Sequence, residues 1–134
     1  MLNHAPLLRR SLLQNALFSS CSGALLLALP GPAARFLGVQ APSVLMGIGA
    51  VLLVFAGHLA WARARPIHPL EARYFVGSDL GWVAGTLLLL ILAPEQLSML
   101  GRAVAVGVAA AVGTLAWLQA QGLSQAESSG RMPA

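Results

Sequence analysis

Asp79, His58, Asn15 and Thr114 are polar side chains set inside otherwise apolar runs of this sequence. An ionisable group in such a run is costly, about 2.5 to 3.5 kcal/mol at the centre of a membrane helix, so it must face protein or water. Asn15 lies five residues inside Arg10, His58 five before Arg63, Asp79 six after Arg73 and Thr114 five before Gln119. At the rise of a helix this places all four roughly 7 to 9 Å below one boundary, in a single layer. An Asp79–His58 contact across that layer is the natural expectation. Such a pair relays a proton or holds a cation or a small polar solute. The competing reading is a buried hydrogen-bond cluster that fixes helix register, worth about 0.6 kcal/mol per interaction in a membrane.

Those residues need a scaffold, and composition says which kind. The chain has 134 residues, 57% apolar and 9% charged, with eight arginines and no lysine, and its mean hydropathy is +0.77. A soluble domain carries roughly 25% charged residues. The expectation is therefore an all-α integral membrane protein whose first partner is the lipid bilayer. Four apolar stretches, about 11–29, 43–62, 74–93 and 103–119, are long enough to cross a hydrocarbon core of ~30 Å. Pro30, Pro42, Pro66 and Pro94 punctuate their boundaries, because proline cannot continue a helix. Residues 1–121 then form one transmembrane domain of antiparallel neighbours, and 122–134, small and polar, reads as a disordered cytoplasmic tail. The segment from Pro30 to Pro42, with Phe36, Leu37 and Val39, is expected along the outer interface.

The first span also has features of a secretory signal, since Arg9 and Arg10 precede it and Phe18-Ser19-Ser20-Cys21 grazes a lipoprotein cleavage pattern. The apolar run resumes at Ala24 to Leu29 and Asn15 interrupts the would-be hydrophobic region, which favours a retained helix. Arginine counting orients the chain. Arg9, Arg10, Arg63, Arg65, Arg73 and Arg131 fall on one side, Arg35 and Arg102 on the other. Both termini are expected in the cytoplasm, with the chain in a bacterial inner membrane. The flanking position of these arginines argues against nucleic-acid binding.

An internal repeat organises the spans. Gly57-His58-Leu59-Ala60-Trp61 returns as Gly113-Thr114-Leu115-Ala116-Trp117, and the first span matches the third with Asn15 against Asp79, Phe18 against Trp82 and Pro30 against Pro94. Two tandem two-helix units of one orientation predict a four-helix bundle with a pseudo-twofold axis along the membrane normal. Trp61 and Trp117 then serve as interface anchors. Gly77, Gly81 and Gly85 recur at four-residue spacing, on the face of their helix roughly opposite Asp79, where a neighbouring backbone packs closely. That partner is expected within the bundle, with a homo-oligomer as the alternative, so this helix should keep little surface for lipid.

Several chemistries have no motif here. The single Cys21 excludes an intrachain disulfide and reads as a small buried residue. One His and one Cys on different spans make no zinc site, and bis-histidine haem ligation needs a second intramembrane His, so neither metal nor cofactor is expected. The glycines lie inside a span and not in a phosphate-binding loop, and Ser19, Ser20 and Ser22 lack a base at their depth. No catalytic residue is assigned.

The pattern Asn15-Ala16-Leu17-Phe18-Ser19, Ser22-Gly23, Pro30, Leu37-Gly38 and Asp79-Leu80-Gly81-Trp82-Val83, with its Leu-Gln-Ala-Gln end, resembles four-helix bacterial inner-membrane proteins and is broadly similar in size to the DoxX-like group. The resemblance implies a fold more than an activity. Three functional readings follow from the residues. The chain is an accessory or interaction subunit of a membrane complex with a mainly structural polar layer, a small transporter or permeation unit using Asp79, His58 and Asn15, or a quinone- or lipid-associated redox subunit.

Overall fold

The structure, a computed structural model, describes residues 5–130. Arg131 and the last three residues of the expected tail lie outside that range. The chain is an all-α bundle: α1 spans Pro6–Ala28, α2 Pro30–Leu37, α3 Pro42–Arg63, α4 Pro69–Leu92 and α5 Met99–Ser129, with a 3₁₀ turn at Pro94–Gln96. All except α2 are long and apolar enough to cross a membrane. Proline opens α1, α2, α3 and α4, where its missing N–H costs nothing and its fixed φ suits the first turn. Outward faces stay apolar, with Ile91 73% and Leu92 75% exposed, as suits helices that meet lipid all round. Trp61 and Trp117 are both exposed.

Three seams hold the four long helices in the order α3, α1, α5, α4. The α1·α3 seam is the most extensive, and two glycines let it close. A Cβ placed on Gly23 would lie 2.8 Å from the Gly49 carbonyl oxygen, and one placed on Gly49 would lie 2.8 Å from that of Gly23. At α1·α5, a Cβ on Gly122 would come within 2.5 Å of the Leu8 amide nitrogen. These are the small-residue contacts by which membrane helices approach each other closely.

Four expectations need correction here. Consecutive spans are not all neighbours: α3 and α4 barely approach, meeting mainly through Phe55, His58, Tyr74 and Phe75 at the arginine-rich end. Gly77, Gly81 and Gly85 do not pack inside the bundle, since a Cβ at any of them would meet nothing within 4 Å. They lie on the exposed side of α4, which therefore has a broad outer surface, because its bundle contacts run through Ala72, Phe75 and Asp79 instead. The tail is ordered helix as far as Ser129. Gly122 and Leu123 are buried against α1, and Arg73 donates to Glu127 at 3.0 Å, so α5 continues beyond the apolar run. Cys21, expected to be buried, is exposed, and it sits two residues from the Gly23 contact on the outer side of α1.

The short α2 closes one end. It stops at Gly38, whose φ of +81° is left-handed and suits only glycine comfortably. The next turn docks on α5: Ser98 donates its amide to the Leu37 carbonyl at 2.8 Å and its Oγ to that of Phe36 at 2.8 Å. The same Oγ accepts from the Gly101 amide at 2.9 Å as the N-cap of α5.

Candidate functional site

With three seams closed and the fourth open, α3 and α4 form the sides of a cleft backed by α1 and α5 and floored by α2. Its volume is about 820 Å³. Leu26, Leu52, Leu89 and Val108 line it, one from each long helix, with Phe36 of α2 below. Near its other end the lining turns polar, with Asn15, Ser19, Ser22, Ser78 and Asp79.

Asp79 is held there by two amides. Asn15 donates Nδ2 to Asp79 Oδ2 at 2.6 Å, and Gln119 donates Nε2 to the same oxygen at 2.8 Å. Ser19 donates Oγ to Asn15 Oδ1 at 3.3 Å, which holds the asparagine from the turn above. Asp79 is 4% exposed and Gln119 fully buried. The two bonds tie α1, α4 and α5 at one point. Among the described residues, no side chain donates to Asp79 Oδ1.

The structure thus brings Asn15 and Asp79 together and leaves the other two candidates elsewhere. His58 Nε2 faces Glu71 Oε1 at 3.3 Å instead of Asp79, and Arg65 Nη2 donates to that same glutamate oxygen. Arg65 also lies over the Trp61 ring, 3.8 Å from its centroid, a cation–π contact. Thr114 is exposed and donates to the Ala110 carbonyl of its own helix at 2.8 Å. The cause is where the helices begin. Because α4 starts at Pro69 and not at Tyr74, Asp79 lies ten residues inside it, roughly 15 Å from its end. His58 is only five residues from the end of α3, near the depth of Glu71.

Gln119 is the partner that sequence reasoning missed. It reads as the end of an apolar run, yet α5 runs ten residues beyond it, which places it at the depth of Asp79. A signal was available: Ala109, Val112, Ala116 and Leu123 share one buried face of α5 with Gln119, at the three- and four-residue spacing of a packed stripe. A glutamine in such a stripe needs a polar partner.

At the arginine-rich end the bundle is shut. Leu8, Leu12, Leu59, Ile67 and Phe75 are completely buried there. Arg9 reaches from α1 to donate to the carbonyls of Arg63 at 2.9 Å and Arg65 at 3.2 Å, which satisfies acceptors left open at the end of α3. The cleft is therefore walled at both ends, and its opening faces sideways between α3 and α4.

Among the described residues, no three of His, Cys, Asp and Glu gather as a metal site. Comparison with family models, curated proteins and solved structures finds no match for this chain.

Proposed function

We propose that this chain is an accessory protein of a bacterial inner membrane, both termini cytoplasmic, that takes a lipid-soluble small molecule from the bilayer into the cleft between α3 and α4. The observation that carries the reading is a cavity of about 820 Å³, apolar along its length and polar around Asp79 and Asn15. Binding sites for small molecules are concave and mostly apolar, with a few placed polar groups that orient the guest. An amphiphile fits that distribution: its apolar body lies against Leu52, Leu89 and Val108, and its polar end meets Asp79. The sideways opening suits a guest that arrives through lipid. The closed ends, at Phe75 and at the α2–α5 joint, speak against a continuous path for hydrated ions.

Orientation rests on the arginines that flank the spans. A tandem origin for the two helix pairs is supported by the packing of α1 with α3 and of α4 with α5.

The test is to purify the chain in mild detergent, record native mass spectra and identify what organic solvent extracts. The expected result is about one lipid-soluble molecule per chain, lost when Ala105→Trp fills the cleft. Equal retention by wild type and Ala105→Trp would overturn the assignment.

A further inference from the structure

We propose that the guest is a lipophilic organic cation, its apolar body between α3 and α4 and its positive charge at Asp79. This rests on the reading of the cleft as a site for a lipid-soluble molecule and names the class of that molecule.

Charge distinguishes this cleft. The residues that line the cleft include an aspartate and no arginine, lysine or histidine. Nearby cationic side chains are engaged elsewhere: Arg65 with Glu71, Arg73 with Glu127 and Arg9 with two backbone carbonyls. Asn15 and Gln119 solvate Asp79 with neutral amides, which hold a carboxylate in place without cancelling its charge. A carboxylate at membrane depth without a counter-charge is expensive, and a cationic guest supplies what the fold omits. An anionic head would meet the same carboxylate unfavourably.

Aromatic placement gives an independent reason. Phe18, Phe55, Tyr74 and Trp82 all line the cleft. Phe18 follows Asn15 and Trp82 follows Asp79 by three residues, so each ring lies about one turn from the cluster, on its side of the helix. Aromatic rings and a carboxylate lining one apolar cleft suit an organic cation, with cation–π attraction strengthened by desolvation.

A proton and such a cation compete for one carboxylate. The polar groups on Asp79 are Asn15 from α1, itself held by Ser19, and Gln119 from α5. Within the cleft Tyr74 is the other titratable lining residue, and α3 contributes none. Cation binding should therefore weaken as pH falls through the titration of Asp79.

The experiment compares tetraphenylphosphonium with tetraphenylborate, ions of nearly one shape and opposite charge, by equilibrium binding to the purified protein. The expected result is at least tenfold preference for the cation, a loss of at least tenfold in Asp79→Asn, and weaker binding at acid pH. Asn keeps an acceptor for both amides, so that variant should remain folded. Trp82→Leu, which touches none of the cluster's hydrogen bonds, provides a second measure and should weaken the cation several-fold. Equal binding of the two ions, or cation binding unchanged in both variants, would overturn the proposal. Should wild type hold a neutral lipid that Ala105→Trp excludes while showing no charge preference, the cleft assignment stands and the cation assignment falls. If nothing neutral or charged is held, both fall.

Discussion

The back and the front of this bundle are built from similar apolar helices and end in opposite states. At the back, Gly23 and Gly49 face each other's carbonyls across α1·α3, and Gly122 seats α5 on the backbone of Leu8. At the front, α3 and α4 present Leu45, Ile48, Leu52, Trp82 and Leu89 to a shared space, and no glycine pair draws them together. In lipid there is little hydrophobic force between helices, so close approach depends on shape and polar contacts. Where small residues coincide across a seam it closes. Where large side chains meet on both sides it stays apart, and a cavity survives.

The sharpest way to break this contrast is to put bulk into the closed seam. Gly23→Leu forces a side chain into the Gly49 carbonyl and the Leu53 side chain, both already within about 3 Å of a mere Cβ. Overpacking of this kind typically costs about 1 to 3 kcal/mol and more when backbone must move. We expect the largest loss in the molecule: a thermal transition lowered by many degrees in detergent, with much of the protein misassembled on gel filtration. A Gly23→Leu variant with wild-type melting would mean that the back is not held by this contact.

A smaller effect should come from the polar knot where the two regions join. Asn15→Leu removes a 2.6 Å bond to Asp79 and leaves Ser19 without its acceptor. Interhelical hydrogen bonds in membranes average about 0.6 kcal/mol and reach about 1.7, so a loss near 1 kcal/mol is expected. Gln119→Leu should match it, and the double variant should lose more than the sum, because each amide still serves Asp79 when the other is gone and neither does in the double variant. Strict additivity in thermal denaturation would show that the two bonds are independent.

That knot also shows what the sequence discloses and what it hides. Four spans, their proline boundaries and the importance of Asp79 and Asn15 are legible, because transmembrane length and the cost of a buried polar group are properties of single segments. Partnership is not, because it depends on depth and on rotation, and both are set by neighbours. Placing the start of α4 at Tyr74 instead of Pro69 moves Asp79 by about a turn and a half and pairs it with His58 on paper. Ending α5 at Gln119 turns the true partner into a boundary marker. The glycine stripe of α4 has ideal spacing and the wrong azimuth. The isolated Gly23, Gly49 and Gly122 have no stripe at all, yet they do the packing.

Smaller still is the fastening of the closed end. Arg9→Gln removes the donors that reach the carbonyls of Arg63 and Arg65, and one of those contacts is exposed. We expect about 0.5 to 1 kcal/mol in unfolding titrations, typical of a hydrogen bond with water at hand. Hydrogen exchange at the end of α3 should rise more than exchange at the Asn15 level. Equal acceleration at both would place Arg9 in the bundle's global stability instead.

The least effect, and the most telling, belongs to the stripe that has the right spacing. Gly81→Ala adds a methyl group where nothing lies within 4 Å, so no contact is lost and no clash is made. Alanine also restricts the unfolded chain more than glycine and favours helix by up to about 1 kcal/mol in water. The expected change in melting is therefore zero or slightly upward, opposite in sign to Gly23→Leu. Gly23→Ala against Gly81→Ala is the cleanest form of the comparison, since one methyl group is added in both. A fall at Gly23 with none at Gly81 assigns packing to the back of the bundle. A matching fall at Gly81, accompanied by loss of a dimer in chemical cross-linking, would mean that the outer face of α4 is covered by a second chain in the membrane.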